Sequence, residues 1–275
     1  MFFKYLGTAA AEGIPGLFCN CEVCNIARSR GGKDIRTRSQ ALVEDDLLID
    51  FPADTYQHIL RYGLRLDRIR YLLVTHSHND HFYPADLALR GMDCAHNMQC
   101  ADLDVYCNEA VAARFYAENP ADSVKEHIRF HLVEPYQCVG FGKYKVWPLP
   151  TKHMKTETAM IYVLQCGGKT IFYGNDTGMP SQEVLDFIAA QKFVFDFVSL
   201  DCTFGRKPIN GDSHMSLSGA DEFRRQLQKM GAVNDKSVLY VTHFSHNGRP
   251  LHEEMVKAAA AVGFSVAYDG LEINV

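Results

Sequence analysis

One short polar cluster constrains this chain more than any other feature of its sequence. The motif His76-x-His78-x-Asp80-His81 follows directly on the apolar run at 69–74, which is typical of a buried strand. Because residues two apart in an extended segment point to the same side, His76 and His78 can bind one ion. A turn after them can bring Asp80 and His81 beside a second ion. Imidazole and carboxylate ligands at this density suit zinc, and also manganese or iron.

The composition is that of a folded globular protein, with 47% apolar and 22% charged residues in a chain of 275. The formal net charge of −5 argues against nucleic acid or an anionic membrane as a partner. No apolar run approaches the roughly 18 residues of a membrane helix, and the N-terminal segment has no basic signal-peptide region. We therefore expect a cytoplasmic protein without a membrane partner, whose nine cysteines stay reduced.

A single domain over residues 1–275 is predicted, because no linker, repeat or low-complexity tract interrupts the sequence. Two apolar runs, 41–43 and 47–49, flank an acidic turn and predict a hairpin. Further strands are predicted at the start of the chain, at 69–74, 143–147, 159–165, 170–173, 197–200 and 237–241, and at the end of the chain. Helices are predicted at 54–65, after Pro84, and at 109–118, 181–190, 218–230 and 250–262. Interleaved strands and helices in both halves indicate an α/β fold with two facing sheets and helices outside them.

The metal motif resembles that of the metallo-β-lactamase superfamily, and the resemblance extends over nearly the whole chain. It implies a layered α/β architecture, namely a four-layer αββα sandwich of two facing mixed sheets. That superfamily places further ligands in a set order, and here His153, Asp176 and His243 each stand at or near the end of an apolar run. The resemblance therefore implies His76, His78 and His153 as ligands of one ion, Asp80, His81 and His243 as ligands of the other, and Asp176 as the bridge.

Asp50 ends the apolar run 47–49 and matches a strand-terminal aspartate of the superfamily. In that role its carboxylate would support the metal motif from behind the ligands, as outer partners of metal-bound histidines commonly do. The alternative is that Asp50 caps a turn.

A second cluster, Cys19-x-Cys21-x-x-Cys24, places three thiols within six residues. Three thiolates need one more ligand to complete a tetrahedral zinc site. His246 lies three residues after His243, so it can face the cysteines while His243 faces the other metals. The pattern looks like that of the phosphonate-pathway (carbon–phosphorus lyase) cyclic phosphodiesterase branch, and more distantly that of pyrroloquinoline-quinone synthesis protein B. That resemblance implies a structural zinc, whereas without a metal the cysteines would belong to a flexible N-terminal loop.

In the same branch, and in related tRNA-processing nucleases, a histidine in a loop after an Asp-x-Thr strand end assists the reaction. Here Asp201-Cys202-Thr203 is followed by His214, which the resemblance implies is catalytic. Asp80 would be the other catalytic residue, because it can orient a water while it binds metal. The alternative for His214 is a polar loop residue before a helix.

The resemblance implies a metal-dependent hydrolase, and we favour a phosphodiesterase that acts on a small phosphate ester, a cyclic one included. Two ions about 3.5–4 Å apart can share a water, and the resulting hydroxide attacks phosphorus. Arg206 and Lys207 could attract phosphate oxygens or form an ordinary solvated pair. The same site could hydrolyse a thioester, lactone or lactam, and a relative of synthesis protein B could serve a biosynthetic pathway. We expect a small-molecule substrate and, by analogy with relatives, a homodimer, while the net charge of −5 disfavours an RNA-processing nuclease.

Overall fold

Two seven-stranded mixed sheets form the centre of the computed structural model, which describes residues 1–91, 94–119, 127–209 and 211–275. The strands of the first sheet are β1 (Phe2–Gly7), β2 (Gln40–Val43), β3 (Leu47–Ile49), β4 (Tyr71–Leu73), β5 (Leu103–Cys107) and β6 (Ile128–Leu132). Those of the second are β7 (Val139–Phe141), β8 (Tyr144–Thr151), β9 (Ala159–Cys166), β10 (Lys169–Gly174), β11 (Phe197–Asp201), β12 (Val238–Thr242) and β13 (Ser265–Val266). The last strand, β14 (Glu272–Asn274), returns to the first sheet beside β1, so the spatial orders are β14-β1-β2-β3-β4-β5-β6 and β13-β12-β11-β10-β9-β8-β7.

The helices in the described ranges lie in the connections between these strands. They are α1 (Glu22–Arg30), α2 (Thr55–Tyr62), α3 (Pro84–Leu87), α4 (Glu109–Glu118), α5 (Gln182–Gln191), α6 (Leu217–Lys229) and α7 (His252–Ala260). The predicted hairpin is confirmed, with Ala41 paired to Ile49 across its turn, and the predicted helices are present with somewhat different ends. None of the described helices is long and apolar enough to cross a lipid bilayer.

Some helices and strands of the structure were not predicted from the sequence. Helix α1 and the strands β5, β6 and β7 were not predicted. The apolar residues Tyr56, Leu60 and Leu64 recur at four-residue spacing and predict the buried face of α2. Tyr56 and Leu60 are instead 65% and 68% exposed while His58 is buried, so the helix packs on a different face. The His58 ring fills that position because its two nitrogens lie 2.7 Å from Gln40 Oε1 and 2.8 Å from Thr37 Oγ1.

Three separate hydrophobic clusters show that the fold has four layers. One cluster lies between the two sheets, a second between the first sheet and helices α3 and α4, and a third between the second sheet and helices α5, α6 and α7. Strand β9 shows how one segment serves two interfaces, because Tyr162 and Leu164 belong to the inter-sheet cluster while Ile161 and Val163 belong to the helix-side cluster. The predicted αββα sandwich is therefore confirmed.

The ends of the parallel strands bring the polar residues of both sheets together. Strands β3 and β4 are parallel, and so are β10, β11 and β12. Because parallel strands end at the same edge of a sheet, residues that follow them collect in one place. A backbone hydrogen bond of 2.9 Å from Met160 to Thr75 joins the two sheets at this edge. The candidate site lies here.

We predict that Phe172→Ala lowers the free energy of unfolding by about 3–5 kcal/mol, because it opens a cavity in a close-packed core. Phe172 is fully buried, and its ring lies 5.4 Å from that of Phe223 on α6. Leu60→Ala, on the exposed face of α2, should change it by no more than about 0.5 kcal/mol. Urea unfolding of both variants measures the difference, and similar losses would contradict the layer assignment.

Candidate metal centre

Residues from both sheets form two adjoining groups of possible metal ligands around one carboxylate. His76, His78, His153 and Asp176 have ligand atoms within 4.8 Å of one another, and so do Asp80, His81, Asp176 and His243. These are the two sets implied by the sequence resemblance, with Asp176 common to both. The first set includes the exposed His78 and the half-buried His153, whereas all members of the second set are buried.

Distances in the first group fit a single ion. His78 Nδ1 lies 2.9 Å from His76 Nε2 and 3.2 Å from His153 Nε2, and Asp176 Oδ2 lies 3.3 Å from His76 Nε2. Metal–nitrogen bonds of about 2.0–2.1 Å place two nitrogens of a tetrahedral site about 3.3 Å apart. Burial, reinforced by the charge of His81, lowers the pKa of His76 to about 3, so this imidazole is neutral and keeps a lone pair for a metal.

The second group is richer in carboxylates. His81 Nε2 lies 3.4 Å from Asp80 Oδ2, 3.2 Å from Asp176 Oδ2 and 3.2 Å from His243 Nε2. Burial alone would lower the pKa of His81, but Asp50 and Asp80 raise it well above its usual value. The surplus of negative charge around this ring is what a bound cation would neutralise.

Charge and hydrogen bonding both indicate that divalent metal fits this site. Asp50, Asp80, Asp176 and Asp201 are each at most 6% exposed, and buried carboxylates need a cation or hydrogen-bond donors. Among the described residues, their side-chain ion-pair partners are histidines rather than lysine or arginine. Asp176 Oδ1 accepts no hydrogen bond there, although His214 Nδ1 lies 3.0 Å away. A buried oxygen that faces ring nitrogens without accepting a hydrogen bond from them is the arrangement expected of a metal ligand.

Asp50 holds the motif from behind. One of its oxygens accepts hydrogen bonds from the backbone N–H and the hydroxyl of Thr75, at 2.8 and 2.9 Å, and the other lies 2.7 Å from His81 Nδ1. A proton on Nδ1 leaves Nε2 free to face the metal position. The supporting role is therefore the one that the contacts of Asp50 favour over a simple turn cap.

Asp201 orients histidines of the second sheet, as Asp50 orients His81 on the first. From the sequence alone it had no role of its own and served only to locate His214. Its Oδ2 lies 3.2 Å from His214 Nδ1 and 3.3 Å from His243 Nδ1, while Oδ1 accepts from the backbone of Thr203 and Met215 at 3.0 and 2.9 Å. Thr203 Oγ1 also lies 2.9 Å from His243 Nδ1. The available signal was the position of Asp201 at the end of a buried strand, like that of Asp50.

The chain turns sharply where it delivers these side chains. Asp50, Asp176 and His243 follow β3, β10 and β12, and their φ angles are 66°, 57° and 60°. The left-handed conformation costs a non-glycine residue about 1–2 kcal/mol. Such conformations persist where the surroundings hold them, commonly at functional sites.

His214 lies beside the metal groups, on the Asp201 side. Its ring is 5.0 Å from that of His153 and 5.9 Å from that of His243, and its side chain is 21% exposed. Burial would lower the pKa of His214, but its contacts with Asp176 and Asp201 raise it to about 10. These contacts all use Nδ1, so the other ring nitrogen is directed away from both carboxylates. Of the loop pair that could attract phosphate, Arg206 is instead bound to Glu254 on α7.

The cysteine cluster lies on the other side of the segment that carries His243. Cys19, Cys21, Cys24 and His246 form a further group of possible ligands, with His246 Nδ1 3.6 Å from Cys19 Sγ and 3.4 Å from Cys21 Sγ. Zinc bonds of about 2.3 Å to sulfur and about 2.0 Å to nitrogen place those atoms about 3.5 Å apart. Hydrogen bonds, first from the backbone of Cys24, lower the pKa of Cys21 to about 6. Cys21 immediately precedes α1, and a helix N-terminus stabilises a thiolate.

The architecture is that of a metallohydrolase fold, and its histidine and aspartate clusters are candidate metal-binding sites. The family profile of the Beta-lactamase superfamily domain matches residues 47–244, and the chain belongs to that superfamily. Coenzyme PQQ synthesis protein B of Methylobacterium radiotolerans is 35% identical over 314 aligned positions, which cover 98% of each chain.

Two crystal structures share the fold over the full chain. A diphosphatase from the PhnP family has a TM-score of 0.75 and 24% identity, with 100% of this chain and 97% of that one covered. Zinc-bound PqqB from Methylobacterium extorquens has a TM-score of 0.71 and 17% identity, with 100% of both chains covered. The superfamily predicted from the sequence is confirmed, and both of the branches that it resembles are represented.

We predict that Asp50→Asn weakens the binding of divalent metal about 10–100-fold, because an amide cannot accept from Thr75 and from His81 at the same time. The matched control is Asp45→Asn on the β2–β3 turn, where the side chain is 81% exposed. Competition with a chromogenic chelator measures both affinities. Equal affinities would show that Asp50 does not orient His81.

Proposed function

We propose that this protein is a metal-dependent phosphodiesterase that acts on a small phosphate ester, a cyclic ester included. The observation that carries the proposal is the position of His214, whose Nδ1 lies 3.0 Å from Asp176 Oδ1 at the edge of both ligand groups. A phosphodiester is anionic, so its reaction needs positive charge around several phosphoryl oxygens and a proton for the leaving oxygen. Two cations and an adjacent protonated imidazole would meet both needs.

In this proposal the ligand sets are those that the geometry groups together. His76, His78 and His153 would hold one ion, Asp80, His81 and His243 the other, and Asp176 would be shared. When bound, two divalent ions lower the pKa of a water and neutralise developing charge on phosphoryl oxygens. Zinc, manganese and iron all suit this donor set.

The protein's own residues would then orient and protonate the reactants. Asp80 is buried and ionised, because contacts with His81 outweigh the effect of burial and hold its pKa below the usual range. Its carboxylate would accept a hydrogen bond from the attacking water and fix the direction of attack. His214, held through Nδ1 by Asp201, would donate to the phosphoryl or leaving oxygen.

A second reading of the same contacts makes His214 a metal ligand, because Asp176, Asp201, His214 and His243 also have ligand atoms within 4.8 Å of one another. The two roles predict different behaviour of a variant. Loss of a proton donor spares the bound metal, whereas loss of a ligand removes it.

We predict that metal-loaded wild-type protein hydrolyses a chromogenic phosphodiester in preference to a thioester or a lactam. His214→Ala should lower kcat about 10²–10⁴-fold with metal content unchanged, and Asp80→Ala should lower both activity and metal content. His131→Ala, a half-exposed histidine paired with Asp104, is the matched control. Absence of phosphodiester turnover in the metal-loaded wild type would refute the proposal, and loss of metal from His214→Ala would make this residue a ligand.

We also propose that Cys19, Cys21, Cys24 and His246 hold a structural zinc. The expected result for Cys21→Ser is the loss of one zinc equivalent per chain and a lower melting temperature, because a serine hydroxyl is a poor zinc ligand. The histidine and aspartate site should keep its metal. Cys138→Ser, at an exposed cysteine, is the control. Unchanged zinc content and melting temperature in Cys21→Ser would exclude this site.

A role in the synthesis of coenzyme PQQ is the second candidate function, and the full-length similarity to synthesis protein B favours it. Expression of this chain in a strain that lacks synthesis protein B, with PQQ production as the readout, tests that role directly. Restored production without phosphodiester turnover by the purified protein would favour the second candidate. Hydrolysis of a thioester or a lactam is tested by the same panel of substrates, to which a lactone is added.

A further inference from the structure

The more exposed metal position is assembled from two segments that belong to different sheets. His76 and His78 follow β4 of the first sheet, whereas His153 lies in the loop between β8 and β9 of the second. That loop is closed at its base by the pairing of Thr151 with Ala159. Strand β9 joins the two segments at their base, because the Met160 N–H donates to the Thr75 oxygen at 2.9 Å and the Tyr162 hydroxyl donates to the Val74 oxygen at 2.6 Å. His78 and His153 lie beyond these bonds, so a further connection is needed to fix the distance between them.

Glu157 makes that connection. It lies in the same loop as His153, and its Oε1 accepts hydrogen bonds from the backbone N–H of Ser77, at 3.0 Å, and from the Ser77 hydroxyl. Ser77 stands between His76 and His78. One carboxylate oxygen therefore joins the His153 loop to the residue at the centre of the His-x-His segment.

The start of helix α4 holds both partners in place. Asn108 Nδ2 donates to Glu157 Oε2 at 2.7 Å, while Asn108 Oδ1 accepts from the backbone of Val111 and so caps the helix. One turn further on, Arg114 donates to the backbone oxygen of Ser77. The connection is thus anchored to a regular element rather than to a second loop.

We propose that Glu157 is a positioning residue that sets the affinity of the metal position formed by His76, His78 and His153. It does not contact the reacting atoms and acts through Ser77 and its own loop. Because this position contains the exposed His78 while the other ligand set is buried throughout, it is also the position that releases its ion first. The inference rests on the two metal positions of the proposed function.

Glu157→Ala should weaken binding of the first-released ion about 10–100-fold and leave the other affinity within twofold, as measured by stepwise competition with a chelator. The affinity of Glu157→Gln for this ion should lie between those of the wild type and Glu157→Ala. Its amide oxygen still accepts from Ser77, while its NH₂ group faces the NH₂ group of Asn108. Glu134→Gln removes the same charge from an exposed site and should match the wild type.

Thermal unfolding separates positioning from general stabilisation. A ligand that binds only the native state raises the melting temperature by an amount that grows with the logarithm of its affinity. Glu157→Ala should therefore lose part of the metal-dependent rise in melting temperature, with little change in the metal-free protein. Unchanged affinities together with an equal fall in both melting temperatures would overturn the inference. If the wild type binds fewer than two ions at this site, the proposed metal pair fails, whatever the variants do.

Discussion

Buried negative charge is the constraint on which the rest of this structure depends. Asp50, Asp80, Asp176 and Asp201 are removed from water at the edge where the two sheets meet, and a carboxylate in such surroundings is unstable unless it is paired. The imidazoles around them supply part of the compensation. A pair of cations would supply the remainder, so metal binding and folding at this edge are linked.

The two aspartates behind the ligands, Asp50 and Asp201, have the same role on the two sheets. Asp50 at the end of β3 orients His81, and Asp201 at the end of β11 orients His243 together with His214. Each sheet therefore contributes a carboxylate that fixes ring tautomers and a segment that supplies ligands. The sandwich architecture brings these two halves into one site, and the hydrophobic cluster between the sheets packs them against each other.

Much of the site was predictable because the motif at 76–81 resembles that of a known superfamily, and because the remaining ligands stand at or near the ends of apolar runs in the order that the superfamily has. Asp201 ends the same kind of run, but its importance depends on a contact with His243 that is 42 residues away in the chain and visible only in three dimensions. Glu157 carries no local signal, because its partners Ser77 and Asn108 come from two other connections.

The fold was predictable to a similar degree, and the prediction failed for particular elements. His58 is buried on α2 because Gln40 and Thr37 supply its hydrogen bonds, and that arrangement overrides the apolar spacing of the helix. Strand β6 alternates apolar residues with Arg129 and His131, which is the period-two pattern of a half-buried strand at the edge of a sheet, so its signal was present and overlooked. Helix α1 has few apolar residues, of which Val23, Cys24 and Ala27 are buried, so its sequence carries only a weak helical pattern.

The segment from His243 to His246 belongs to both clusters at once. Its backbone is bonded to Thr8 and Ala10 through Phe244, so it behaves as a short rigid span between the thiol group and the buried imidazole. Damage by an oxidant at the cysteines would consequently reach the candidate metal centre through this span, without any large rearrangement.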